Sequence, residues 1–257
     1  MRLPYDMSPL NHDLPSILDR CRVLPVITPG EIDRFIGLIG ALHAGGMAAV
    51  EVTLRSDTAL ECIAECRRQF PDMVVAAGTV LDPAGLERAT AAGAHFSVSP
   101  GLTPALLDAA RDTGVALLPG VATASDIMLG LSRGLDHFKF FPASAAGGIG
   151  MLKAFAGPFQ SVKFCPTGGL RPDNFRDYLA LPNVICCGGS WMVAAQLVES
   201  ENWEEVSRLA GEAVTGKRSG GARWFVRYRP YAIAERLSTG RSRCVDPGRV
   251  FTISRPQ

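Results

Sequence analysis

The chain has 257 residues, 47% of them hydrophobic and 20% charged, enough apolar material for one large domain or two small ones. The net charge of +1 gives no global reason to expect nucleic acid or a membrane surface as partner. No apolar stretch is long enough to span a bilayer, and the opening "MRLPYDMSPLNHDLPS" lacks the continuous apolar core of a signal peptide, so a soluble chain in the reducing cytoplasm is expected.

Residues 1–16 read as an N-terminal extension and 17–216 as the main domain, within which a regular rhythm runs from 21 to 216. Short β-rich runs end in Gly, Pro, Ser or Thr: "RVLPVI" (22–27), "MAAVEVT" (47–53), "MVVAAGTV" (73–80), "HFSVS" (95–99), "VALLPG" (115–120), "HFKFFP" (137–142), "VKFCPTGG" (162–169) and "VICCGGS" (184–190). They are apolar nearly throughout, as strands of a parallel sheet buried on both faces must be. Between them lie Ala/Leu-rich segments of helical period, several opening on Ser, Thr or Asp and closing on Gly. The last, "SWMVAAQLVESENWEEVSRLAGEAV", reads as a single long helix. Eight such units in about 195 residues predict a compact (β/α)8 TIM barrel. A doubly wound open sheet is the rival, disfavoured because no G-x-G-x-x-G loop follows the first run.

Barrel active sites gather where the strands end, so the polar residues at those ends are the candidates. The second run ends in Glu51, Thr53 and Arg55, the third in Thr79, and the fourth leads through Ser99 and Pro100 to Thr103. The sixth carries Lys139, with His137 and Phe141 on the same face by the two-residue strand period. Only four lysines stand against twenty-two arginines, and Lys139 alone lies between phenylalanines. An inward Lys139, desolvated and near Arg55, would favour the neutral amine that attacks a ketone to form an imine. The alternative is a lysine that snorkels to solvent at the rim. Glu51 is either a proton carrier beside that imine or the partner of Arg55 in a structural bridge, and Arg55 could instead fork onto a substrate carboxylate. The turns "PTGG" (Thr167, Gly168, Gly169) and "GGS" (Gly188, Gly189, Ser190) end the last two runs, where backbone N–H groups can cradle a phosphate. No acidic or histidine cluster at these ends suggests a metal. The seven cysteines (Cys21, Cys62, Cys66, Cys165, Cys186, Cys187, Cys244) show no paired ligand spacing and read mostly as small buried hydrophobes.

In order and spacing, "EVTLR", "AGTVLDP", "SPGLTP", "FKFFPA", "GPF", "FCPTGG" and "GGSW" resemble the bacterial 2-keto-3-deoxy-6-phosphogluconate aldolases, a family that also handles 4-hydroxy-2-oxoglutarate. The resemblance covers roughly residues 16–215. It implies a class I aldolase without cofactor, usually a trimer of TIM barrels, cleaving the phosphorylated keto acid to pyruvate and glyceraldehyde 3-phosphate. It implies Lys139 as the Schiff-base lysine and Glu51 as general acid/base. Arg55 and Thr79 would hold the pyruvate carboxylate, Pro100 and Phe141 would line the pocket, and Thr167, Gly168, Gly169, Gly189 and Ser190 would line the phosphate end. A galactonate-series aldolase, and a catalytically silent phosphosugar-binding barrel, are the competing functions. The sequence departs from the family pattern at Ser144, where relatives often carry an acid, and beyond residue 216, where the family usually stops.

From Lys217 to Gln257 the chain carries ten Lys and Arg against Glu235 and Asp246, a net +8, while the other 16 basic and 23 acidic residues net to −7. "GKRSGG" (216–221) reads as a joint, and 217–257 as a basic extension that is a solvated appendage or packs on another subunit. Its arginines and aromatics make nucleic acid a conceivable but disfavoured partner.

Overall fold

The computed structural model describes residues 14–215 and, beyond them, the backbone of three short strands. The sequence readings of the opening residues 1–13, of the 216–221 joint and of the tail's arginines and aromatics lie outside the described residues. The chain divides into two compact units, Met1–Gly220 and Gly221–Gln257. The second holds an antiparallel meander of Ala234–Arg236, Ser242–Asp246 and Arg249–Val250.

The first unit is α/β. Its strands are β1 (Val23–Ile27), β2 (Ala49–Thr53), β3 (Val74–Gly78), β4 (Phe96–Val98), β5 (Leu117–Leu118), β6 (Gly120–Val121), β7 (His137–Phe140), β8 (Lys163–Pro166) and β9 (Cys187–Gly189). All pair in parallel, in two sheets ordered β5-β4-β3-β2-β1-β9 and β6-β7-β8. The fifth run of the sequence is thus two strands, one closing each sheet, split at Pro119, which has no N–H to give a ladder. Isolated bridges Phe164↔Val184 and Thr167↔Gly188 link β8 to the last strand's segment. The architecture is therefore a curled parallel sheet with helices between its strands, and the single continuous eight-stranded ladder of the sequence reading is interrupted at Pro119.

Successive residues of each strand divide between two apolar clusters, as the two-residue period requires. The larger cluster joins Val50, Val52, Val75, Ala77, Phe138, Phe140 and Phe164 to helix residues such as Phe35, Leu38, Ile63 and Leu106. The smaller takes the alternate residues Leu24, Ala49, Ala76, Phe96, Leu118 and Cys165, and is the core enclosed by the curl. Helix α1 (Leu14–Arg20) contributes Leu14 and Leu18 to it, both fully buried, just before β1 begins. A segment read in part as an extension thus plugs the end of the sheet where the strands start. Leu18→Ala is expected to lower stability by roughly 2–5 kcal/mol, the cost of a cavity in a packed core, measurable by urea unfolding.

Local chemistry sets the helix ends. Thr103 accepts a hydrogen bond from the Leu106 N–H and is followed by Pro104, and Thr123 and Asp126 form a capping box. The single long helix expected over 190–214 is instead a 3-10 turn (Trp191–Val193), a short helix (Ala195–Glu199) and a 13-residue helix (Trp203–Thr215). The break follows from the polar run at 199–202, where Asn202 Oδ1 accepts from Glu205 N at 3.2 Å and starts a new helix. Six cysteines are free and buried, as expected of small hydrophobes. Burial pushes the Cys66 thiol up to about 12 and raises Cys21 and Cys187 as well.

Candidate active site

Lys139 lies in β7 between Gly120 on one side and Cys165 on the other, neighbours small enough to leave its long side chain an inward path. It does not snorkel: its side chain is 7% exposed and that of Glu51 2%. Nζ donates to Glu51 Oε1 at 2.9 Å and to Oε2 at 3.2 Å. Glu51 comes from β2, whose inward positions run Ala49, Glu51, Thr53, all buried. Nζ also stands 5.4 Å from the centre of the Phe141 ring. A buried ion pair of this kind costs desolvation on both ions, so the pair is weak evidence for stability. Its chemical capacity is plain, because a carboxylate at this distance can take the ammonium proton and free the amine.

Arg55 is not part of this pair. It lies on the exposed loop after β2 and donates through Nε to Thr79 Oγ1 at 3.2 Å. Of the two partners open to Glu51, the fold selects Lys139. Thr79 has φ +57°, a left-handed conformation that β-branched residues avoid at a cost of roughly 1–3 kcal/mol. It is held there from both sides, since Gly78 O accepts from Leu54 N at 2.8 Å and Val80 N donates to Val98 O at 3.1 Å. The result presents the Thr79 hydroxyl to Arg55. Thr53, a strand-end residue of the same run, is used within the framework: its Oγ1 donates to Ile27 O at 3.0 Å and ties β2 to β1.

The glycine turns form a second group. Ala143 N donates to Thr167 O at 2.8 Å and Ser144 N to Gly168 O at 3.0 Å, clasping the turn after β8 to the turn after β7. Gly168 and Gly169 have φ of +100° and +80°, which explains glycine at both. A β-carbon on Gly188 would strike the Thr167 side chain, so the two turns meet edge to edge at the Thr167↔Gly188 bridge. Among the described residues, the N–H groups of Gly169 and Ser190 meet no acceptor, and Ser190 is exposed. Such N–H groups suit an anion. Gly189 is buried under the Trp191 ring, and Pro100 turns its carbonyl toward Gly120, the strand neighbour of Lys139.

The structure therefore brings Lys139, Glu51 and Phe141 together, pairs Arg55 with Thr79, and joins Thr167, Gly168, Gly169 and Ser190 through adjoining turns. Two glycines that sequence reasoning passed over, Gly78 and Gly120, matter to this geometry. Their signal was a glycine within a strand pattern, which marks close approach by another group.

A family model described as "Aldolase: KDPG and KHG aldolase" matches residues 14–209. The KHG/KDPG aldolase of Escherichia coli (strain K12) is 48% identical over 203 residues, 79% of this chain and 95% of that protein. The solved 2-keto-3-deoxy-6-phosphogluconate aldolase of Zymomonas mobilis ZM4, with 3-phosphoglycerate, is 45% identical at a TM-score of 0.78, over 82% of this chain and 99% of that one. The KDPG aldolase of Legionella pneumophila, with pyruvate captured as a covalent carbinolamine intermediate, is 45% identical at a TM-score of 0.76, over 77% and 97% of the two chains. With the family model covering most of the chain and relatives near half identity over nearly their whole length, this chain belongs to the KDPG and KHG aldolase family.

Proposed function

We propose that this protein is a class I aldolase that cleaves 2-dehydro-3-deoxy-6-phosphogluconate to pyruvate and glyceraldehyde 3-phosphate through an imine on Lys139. The observation that carries this reading is the buried Lys139–Glu51 pair, with Nζ and the carboxylate oxygen 2.9 Å apart. Glu51 accepts the ammonium proton, and the freed amine attacks the C2 carbonyl. Glu51 gives that proton to the carbinolamine hydroxyl, which leaves as water, so that a protonated imine remains and Glu51 is a carboxylate again. Glu51 then takes the C4 hydroxyl proton, the C3–C4 bond breaks, and its electron pair flows into the imine to give an enamine. Protonation at C3 and hydrolysis release pyruvate and return the lysine. Glu51 thus moves a proton in both directions, as a group within hydrogen-bond reach of the reacting nitrogen can.

Arg55 and Thr79 hold the keto-acid carboxylate, and Pro100 and Phe141 line the wall beside the imine. Thr167, Gly168, Gly169, Gly189 and Ser190 receive the phosphate. The same site takes 4-hydroxy-2-oxoglutarate, whose products are pyruvate and glyoxylate. We also propose that the curled sheet works as a closed eight-stranded barrel, in a cytoplasmic homotrimer that covers the exposed Leu81 and Met128. The basic 217–257 segment stands as an extension outside the catalytic unit.

Reduction with borohydride in the presence of pyruvate, followed by peptide mapping, tests the central claim. A pyruvate adduct on Lys139, together with turnover of the phosphorylated substrate, is the expected result; no adduct on any lysine would overturn it. Arg55→Ala is expected to raise KM for the keto acid about 10- to 100-fold, the worth of a charge-assisted hydrogen bond, with a smaller change in kcat. Steady-state kinetics on pyruvate-releasing turnover checks this.

A further inference from the structure

The inward side chains of β3 shrink toward the catalytic end of the strand: Val74, Ala76, Gly78. Their partners on β2 are Ala49, Glu51 and Thr53, so Glu51 stands opposite Ala76 in register. Its carboxylate nevertheless leans along the strand direction and lies over Gly78. A β-carbon on Gly78 would sit 2.7 Å from Glu51 Cγ and 2.9 Å from Cδ, and closer still to Oε1. Non-bonded carbons do not approach to such distances, so either the carboxylate or the strand would have to move. The strand is pinned, since Thr53 pairs with Gly78 and Leu54 N donates to Gly78 O at 2.8 Å. Nor does the backbone itself demand glycine here, because Gly78 ends a regular strand and is not among the residues of positive φ. What requires glycine is the space above it.

We propose that Gly78 is a positioning residue for Glu51: its missing β-carbon opens the channel through which the carboxylate reaches Lys139 Nζ. The proposal rests on the reading of Glu51 as proton carrier. Gly78→Ala shifts the carboxylate away from Nζ and leaves Arg55, Thr79 and the glycine turns untouched. It lowers kcat about 10²-fold, the scale of a misplacement near 1 Å, while KM stays within about threefold.

Two double-mutant cycles test it. In kinetics, Gly78→Ala, Glu51→Gln and the double variant are compared. Positioning through Glu51 predicts that the double variant turns over no more slowly than Glu51→Gln, since one function is lost once. Losses that multiply would overturn the proposal. In thermal melting, Gly78→Ala should lower Tm by about 4–8 °C when Glu51 is present and by much less beside Glu51→Ala, where no carboxylate meets the new methyl. Equal drops in both backgrounds would overturn it. If Gly78→Ala does not fold, recovery of a folded protein on adding Glu51→Ala is the expected compensation, and its failure counts against the proposal. The melting cycle needs no activity. If the wild-type protein traps no pyruvate, the functional reading fails, and the melting cycle still decides the geometry.

Discussion

Lys139→Met is expected to lower aldol cleavage by about 10⁴-fold or more and to abolish the pyruvate adduct formed under borohydride, because no other described lysine sits inside the curled sheet. Removing a covalent nucleophile deletes the intermediate itself, so no buffer amine at ordinary concentration replaces it. The variant should also be less stable. Methionine fills much of the lysine volume, but Glu51, 2% exposed, is left without its counter-charge, at a cost of roughly 3–5 kcal/mol. Adding Glu51→Gln should restore much of that stability and none of the activity. Denaturant melts and the trapping assay, run on both variants, separate the two effects. A Lys139→Met protein that still forms the adduct would place the nucleophile elsewhere.

Glu51→Gln carries the second large effect. The amide keeps the shape of the carboxylate and can still accept a hydrogen bond from Nζ, so substrate binding should change little, while stability falls because the buried Lys139 loses its counter-charge. It cannot take the ammonium proton or relay the C4 hydroxyl proton, and kcat is expected to fall by about 10²- to 10⁴-fold, the usual worth of a positioned general acid/base. Pyruvate trapping on Lys139 should slow but persist, since solvent can carry a proton that Glu51 no longer carries. Pre-steady-state trapping beside steady-state turnover measures both. Full retention of kcat would assign the proton transfer to another group or to water.

The parallel α/β organisation was legible in the chain because its cause is local. Runs such as "MVVAAGTV" are apolar throughout only if both faces are buried, and each ends in the turn residues that precede a helix. Six of the cysteines were correctly read as buried hydrophobes for a similar reason. Helix α1 escaped notice because seven residues with two apolar anchors carry too little periodicity, and their burial depends on the hole they fill. The interruption at Pro119 and the break at Asn202 were written in single residues, whose effect depended on the ladder or helix around them.

At the site, composition and strand period determined which residues could matter: a lysine among phenylalanines, a glutamate in an apolar run, and glycine pairs at two strand ends. They did not determine the partners. Glu51 lies four residues from Arg55 and 88 from Lys139, so local spacing left the Arg55 bridge open as an alternative. Curling the sheet turned β2 and β7 toward one interior and left Arg55 outside with Thr79. That choice belongs to tertiary structure alone. Strand period decides which face a side chain takes, and only the closing of the curl decides what it meets there.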